Sequence, residues 1–363
     1  MYPLAEGLYA ARNQWYVAGW SKEINREPME RWILNEPVAF YRTEAGEPVA
    51  LAGRCPHRHF PLGKSRLVGD NIECSYHGIT FSPKGACVRI PSQAAVPSSC
   101  SVKSFPVVER WEWVWIWMGD PALADESLIP DHHLIGLTDP DFTILGGSYH
   151  AVPGRYMLMH DNLFDLTHFA YLHKTSIGSG DFSSVEEQRE NGDDWISSRR
   201  VFPDIDCPPF YADLFDYYGK IDREFGMKLY LPCLHVGFDN LFRATTVDER
   251  AGEVLGRIKV YHAITPATRN TAHYFFALGR TFKRDDAAFG QAMLDNISKV
   301  VEEDLVATRE IEAMITGLGG APDEVLLKAD ATCVRGRRLF EGLIRKEQAR
   351  AAAPGAKAPA AVG

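Results

Sequence analysis

Cysteine is scarce in this 363-residue chain: there are seven, an odd number. In a chain this long that count argues against a disulfide scaffold and leaves metal binding or simple burial as the uses of the thiols. No apolar run is long enough to cross a bilayer, so no membrane span is expected. The opening stretch MYPLAEGLYAARNQWYVAGW lacks the basic leader and continuous apolar core of a secretory signal. A cytoplasmic location is therefore expected. Positive charge is in deficit, with 39 Lys and Arg against 48 Asp and Glu and a net charge of −9. Nucleic-acid phosphates need a basic face, so a small molecule or a protein is the expected partner. No period of about 20 to 50 residues recurs, which argues against a solenoid or a propeller.

What is present reads as two domains, since single cores stop growing near about 250 to 300 residues. Residues 15–119 look like one short strand after another. VAFYRTEAGEPVALAG and GITFSPKGACVRIP each set a Gly-containing turn between apolar runs, which is hairpin grammar. Trp111, Trp113, Trp115 and Trp117 alternate with Val114 and Ile116, predicting a strand covered on both faces. The texture changes in DPALADESLIPDHH, which divides a first domain, 1–123, from a second, 124–348. In the second, a helix is expected over 157–174, a hairpin turn at Asn191-Gly192, and strands between 228 and 282, with DERAGE as a turn. A long helix is expected over about 285–315, and the whole reads as an antiparallel sheet with helices on it, an α+β fold. The tail 349–363, ending AAAPGAKAPAAVG, has too little to bury and is expected to be disordered.

Two loops carry the first chemical signal: CPHRH with Cys55 and His57, and ECSYHG with Cys74 and His77. Two thiolates and two imidazoles suit a tetrahedral zinc site, or a cluster in which the cysteines hold one iron and the histidines the other. Zinc loops more often pair like with like. Here each loop carries one of each donor, as a two-ended cluster requires if both loops are to touch both irons.

These loops resemble the Rieske family, and CPHR with CSYHG has the form found in Rieske oxygenases. In respiratory Rieske subunits each loop carries an extra cysteine and the two form a disulfide; Phe60 and Tyr76 occupy those positions here. Fewer supports around the sulfurs imply a low potential within the roughly −150 to +300 mV Rieske range. Arg54, Arg58, Lys64 and Arg66 surround the loops, either as a docking face for an acidic electron donor or as solvated charge balancing an anionic cluster.

A receiver for the electrons is expected in HDNLFDLTHFAYLH, where Asp161, Asp165 and His168 share one face of an ideal helix. An acid beside a histidine orients the ring and fixes its tautomer. His173 falls about 140° round from His168, so both reach one metal only if the helix ends or bulges between them. The remaining ligand should be a carboxylate, because two histidines and one carboxylate leave positions open on non-haem iron. Of Glu302, Glu303 and Asp304, only Asp304 falls on the apolar stripe of Met293, Ile297, Val300, Val301, Ile311 and Ile315. It is chosen, with Glu302 and Glu303 expected to point away.

From about Arg12 to the last helix the chain resembles the oxygenase components of Rieske non-haem iron monooxygenases, most closely the vanillate and dicamba O-demethylase group. NQWYVAG, CPHRHFPL, CSYHGITF, SFPVVER, VWIWMGDPALAD, DNLFDLTHFAYLH and the late EED carry the likeness. The resemblance implies an all-β Rieske [2Fe-2S] domain followed by a helix-grip catalytic domain. It implies cluster ligation by Cys55, His57, Cys74 and His77, and a mononuclear Fe(II) on His168, His173 and Asp304 with O2 as cosubstrate. Asp165 would bridge His168 to His77 of a neighbouring subunit in a homotrimer. A reductase or ferredoxin would supply electrons, and no Gly-rich dinucleotide fingerprint follows a strand here, so nicotinamide oxidation falls to that partner. The expected reaction is O-demethylation of a methoxylated aromatic acid, vanillate-like or a lignin-derived biaryl, to a phenol and formaldehyde. Hydroxylation of a ring or alkyl substituent is the alternative. His262 is a candidate for hydrogen bonding a substrate carboxylate or phenol, and a satisfied strand histidine is its other reading. His160 and His59 depart from residues common in relatives, and the remaining five cysteines are read as structural.

Overall fold

The computed structural model describes residues 2–174, 182, 184–245, 252–320 and 323–352. The chain forms two compact units. One comprises Ala10–Pro130, Thr265–Arg269 and the chain from Glu347; the other holds Met1–Tyr9, Asp131–Ile264 and Asn270–Lys346. The division falls after Pro130 rather than after Leu123.

The first unit is built from three small antiparallel sheets. Trp113–Trp117 lies between Trp15–Trp20 and Val107–Arg110, and all five of its residues are buried. Trp111 stands outside this strand: its φ of 55° turns the chain before the alternation begins. In the second sheet, Glu36–Arg42 and Pro48–Ala52 form the expected hairpin. It is closed by Thr43 N–H on the Glu47 carbonyl at 3.0 Å, with Gly46 at φ 86°, where a side chain would be strained. The third sheet runs Arg66–Val68, Asn71–Glu73, Thr80–Phe81, Cys87–Arg89. Tyr41 and Leu51 from one four-stranded sheet share a core with Ile72 and Phe81 from the other, and Cys55 and Cys74 belong to that core.

The second unit centres on a seven-stranded sheet in the order Thr143–Val152, Thr271–Arg280, Val254–Thr268, Leu234–Arg243, Lys220–Tyr230, Trp195–Asp206, Gln188–Asn191. Its last two strands form the hairpin read from Asn191-Gly192, closed by Gly192 N–H on the Trp195 carbonyl. The helices are α1 (Tyr156–Phe164), α2 (Pro209–Phe215), α3 (Ala287–Gly317) and α4 (Ala331–Ala352). Helix α4 runs into the tail expected to be disordered; the rest of that tail lies outside the described residues, as does most of the DERAGE turn.

The structure differs from expectation in two elements. The continuous helix over 157–174 is broken, because Asp165 adopts an extended conformation (φ −100°, ψ 98°) after α1 and its side chain caps a 3-10 turn over Leu166–Ala170. Asp is favoured at such a cap because its carboxylate accepts the N–H groups left free at a helix start. On α3 the buried face takes in Met293, Val300, Val301, Asp304, Thr308, Glu312 and Ile315, but Ile311 is 48% exposed. The contact follows the i+4 ridge 304–308–312, which drifts away from 311. No described helix is long and apolar enough to cross a membrane.

Candidate metal centres

The break after α1 brings His168 and His173 together. With α1 ended at Phe164, the 3-10 turn and the chain after it place the His168 and His173 rings 5.0 Å apart, and α3 supplies Asp304 between them. Asp304 Oδ1 lies 3.1 Å from His173 Nε2 and 3.5 Å from His168 Nε2. Among the described residues, this is the one group in which three such donor atoms lie within 4.8 Å of one another. Donors bound at about 2.0–2.2 Å to a shared metal stand roughly 3 Å apart in adjacent positions; Asp304 has that spacing to each histidine, and the two imidazoles would draw together on a bound cation.

The surrounding groups hold the three ligand candidates by different means. His168 Nδ1 bonds the backbone carbonyl of Asp165, while the Asp165 carboxylate caps the turn through Thr167 N–H (2.9 Å) and Thr167 Oγ1 (2.7 Å). The Asp165 carboxylate, expected to orient His168 directly, does not bond it within the chain; the Asp165 carbonyl does. Burial pushes the His168 pKa down. For His173 burial also pulls downward, but hydrogen bonds and charge from Asp304 and Glu303 outweigh it and raise the pKa. Glu303, expected to point away, places Oε2 2.6 Å from His173 Nδ1.

Asn162 was also missed. Its Nδ2 donates to Asp304 Oδ1 at 2.9 Å, and its Oδ1 is buried with no hydrogen-bond partner, an acceptor suited to a nearby cation or proton donor. Its signal in the sequence was slight: one amide, six residues ahead of His168.

Asp161, expected on the metal face, is held elsewhere. Its carboxylate takes Arg337 Nη2 at 2.7 Å and ties α1 to α4. Burial, opposed by that arginine, still pushes it up to about 6.

The ligand candidates border a cavity of about 90 Å³, well above the ~10–15 Å³ that one water requires. Leu163, Phe169, Phe225, Met227, Ile258 and Phe276 give it an apolar wall. Charge on the wall is limited to Asp304, the histidines, and an Arg223–Asp239 pair closed at 2.8 and 2.7 Å, whose carboxylate also accepts from Tyr211. His262 lines the cavity with Tyr274, whose hydroxyl bonds its Nδ1, and His262 Nε2 is buried without a partner. Burial pushes His262 down to about 3, so the ring is neutral at ordinary pH. His160 does not reach the cavity. It is buried on α1, with Nδ1 2.7 Å from His235 Nε2.

In the first unit the two loops are mirror constructions. Cys55 N–H bonds the Phe60 carbonyl and His59 N–H the Cys55 carbonyl, each at 2.9 Å; Cys74 N–H bonds the Ile79 carbonyl and Gly78 N–H the Cys74 carbonyl, each at 2.8 Å. Each loop folds back on its own cysteine, which buries Cys55 and Cys74 and leaves His57 and His77 exposed. The imidazole rings meet at 4.6 Å, and the two thiols are close enough to interact. Burial pushes the Cys55 thiol up to about 11, against N–H donors of His57 and Arg58 that favour its thiolate. The four donors thus pair by kind, thiol with thiol on the buried side and imidazole with imidazole on the exposed side. That is the donor set of a two-iron cluster with unlike ends. Phe60 and Tyr76 join the loops as an aromatic pair, centroids 5.9 Å apart. His59 sits at φ 58°, with Nδ1 3.2 Å from Arg54 Nη1.

Both parts of the chain match known protein families. Residues 14–106 match the Rieske [2Fe-2S] domain, and residues 152–346 match the vanillate O-demethylase oxygenase C-terminal domain. The chain is 36% identical to the iron-sulfur subunit TsaM1 of the toluene-4-sulfonate monooxygenase system of Comamonas testosteroni, over 93% of this chain and 97% of that protein. It is 34% identical to the oxygenase component of dicamba O-demethylase from Stenotrophomonas maltophilia, over 93% of this chain and 99% of that one. A solved structure of dicamba monooxygenase with non-heme iron and dicamba superposes with a TM-score of 0.75 at 32% identity, covering 93% of this chain and 98% of the other. With both domain families in order and whole-length relatives above 30% identity, the chain belongs to the oxygenase components of Rieske monooxygenases of the vanillate O-demethylase family.

Proposed function

We propose that this oxygenase removes the methyl group of a methoxylated aromatic acid, vanillate-like or a lignin-derived biaryl, releasing a phenol and formaldehyde. One observation carries the reading: two histidines and a carboxylate gather at the wall of a cavity that is otherwise apolar and aromatic. His168, His173 and Asp304 would hold a mononuclear iron, and Cys55, His57, Cys74 and His77 the [2Fe-2S] cluster. When bound, the iron supplies activation of O2 and the cluster supplies electrons.

The chain's own residues bind, orient and keep water out. Phe225, Met227, Ile258 and Phe276 bury the aromatic ring and exclude water from the reacting carbon. Assigning the shared proton to the Tyr274 hydroxyl puts the His262 proton on Nε2, a neutral donor for a substrate carboxylate or phenol oxygen. Glu303 holds the His173 ring through Nδ1, which leaves Nε2 facing Asp304. In the reaction one oxygen atom enters a methyl C–H bond and the hemiacetal collapses to phenol and formaldehyde. The other oxygen leaves as water, with two electrons and two protons taken up.

The electrons come from a reductase or ferredoxin partner. Asp165 is assigned the link between His168 and His77 of a second copy in a homotrimer; its capping bonds use one carboxylate oxygen and leave the other without a hydrogen bond among the described residues. A cytoplasmic location belongs to the same reading. Hydroxylation of a ring or alkyl substituent is a second reading, favoured by the 36% identity to a subunit of a toluene-4-sulfonate monooxygenase system.

The test is a panel of methoxybenzoates and methylated aromatic sulfonates given to the metal-loaded protein with a surrogate reductase and NADH. Formaldehyde equal to substrate lost supports demethylation. A hydroxylated product that keeps every carbon moves the assignment to the second reading. Oxygen uptake that no aromatic substrate stimulates would sink both.

A further inference from the structure

Cys87 and Cys100, read from the sequence as structural, are brought together in the first unit. An antiparallel bridge pairs Ala86 with Ser101, supported by Val102 N–H on the Gly85 carbonyl at 2.9 Å. The next opposed positions outward from that bridge are 87 and 100. Both thiols are free and partly exposed, and each interacts with the other. Directly opposed residues of antiparallel chains fall within the Cα separation that a disulfide spans.

The pair closes the base of a loop whose residues 91–99 are all exposed. That loop reaches the cluster site: the Pro91 ring lies 3.0 Å from where a Cβ on Gly78 would stand, and Gly78 follows His77 directly. A covalent link across 87 and 100 would therefore restrain the segment that lies against the second cluster loop.

We propose that Cys87 and Cys100 form a peroxide-responsive dithiol that closes to a disulfide and clamps this loop beside the cluster. The oxidant is hydrogen peroxide. One thiolate attacks the peroxide O–O bond, forming a sulfenic acid and releasing water; the second sulfur displaces hydroxide from the sulfenic sulfur, forming the S–S bond. The two sulfurs give up two electrons, and their two protons leave in the two waters formed. Burial and the neighbouring thiol push Cys100 up to about 11, so it stays protonated at neutral pH. Closure therefore accelerates as pH rises.

The test uses the cluster-loaded full-length protein, treated anaerobically with hydrogen peroxide at pH 8 and digested without reductant for mass spectrometry. The expected product joins the peptides holding Cys87 and Cys100, two hydrogens lighter than their sum, and dithiothreitol separates them. Cys87→Ser and Cys100→Ser should each abolish it. Amide exchange over residues 89–99 should slow several-fold on oxidation and recover on reduction. Sulfinic acid without a crosslink would overturn the proposal. So would crosslinks that recruit another cysteine, or an unmodified pair at peroxide levels that bleach the cluster.

Discussion

Glu303 Oε2 and His173 Nδ1 lie 2.6 Å apart, and this contact fixes which nitrogen of His173 faces Asp304. A carboxylate on the far nitrogen of a metal-binding imidazole sets the tautomer and raises the ring's basicity, and loss of such a partner costs about 10- to 100-fold in metal affinity. Glu303→Gln should weaken iron binding by that order in competition with a chelator, with the visible absorption of the cluster unchanged. Glu302, exposed on the same turn, provides the control: Glu302→Gln should bind iron as the parent does. Equal affinities for all three proteins would dismiss the role given to Glu303.

Asp304 is a buried acid that faces the two candidate ligand histidines. Asp304→Ala should lower iron content by about one per chain, keep the cluster spectrum and abolish substrate-dependent oxygen uptake. Folding should survive, because α3 keeps its apolar contacts through Val300, Val301 and Leu305. A variant that still turns over would remove Asp304 from the site.

How far the sequence reached can be seen in these same residues. Cys55, His57, Cys74 and His77 were legible because each pair sits within four residues, and the short hairpins around them follow local turn rules. Asp304 was legible from helical periodicity. Glu303 and Asn162 were not, since a helical wheel shows which way a residue points but not that His173 lies close enough for a neighbouring acid to reach it. The break at Asp165 was hidden for a different reason: a strong capping residue inside a helical pattern is ambiguous until tertiary contacts decide. Cys87 and Cys100 escaped because their proximity is made by a bridge between distant segments.

Asp165 has two separable roles, and two substitutions divide them. Asp165→Ala removes the cap on Thr167 and should cost about 1 kcal/mol of stability, seen as a lower urea midpoint. Asp165→Asn keeps an acceptor for Thr167 and should unfold like the parent. If the carboxylate also links His168 to a neighbouring cluster histidine, Asp165→Asn should slow cluster reoxidation in single-turnover experiments while iron content holds. Reoxidation at the parent rate would confine Asp165 to capping.

The rings of His160 and His235 share a 2.7 Å hydrogen bond with no exposure to solvent. Burial pushes His160 down to about 3 and His235 well below its usual value. The unfolded chain takes up protons on these residues near pH 6.5 while the folded chain does not, so folding stability rises with pH between about 3 and 6.5. Acidification from pH 7 to 5 should cost about 2 kcal/mol for each histidine kept neutral in this way. His160→Gln can still hydrogen-bond His235 through its amide but no longer titrates. Its urea midpoint should fall less steeply than the parent's over that interval, whatever its stability at pH 7. Parallel slopes for the two proteins would mean that His160 is protonated inside the fold, in conflict with the buried neutral pair.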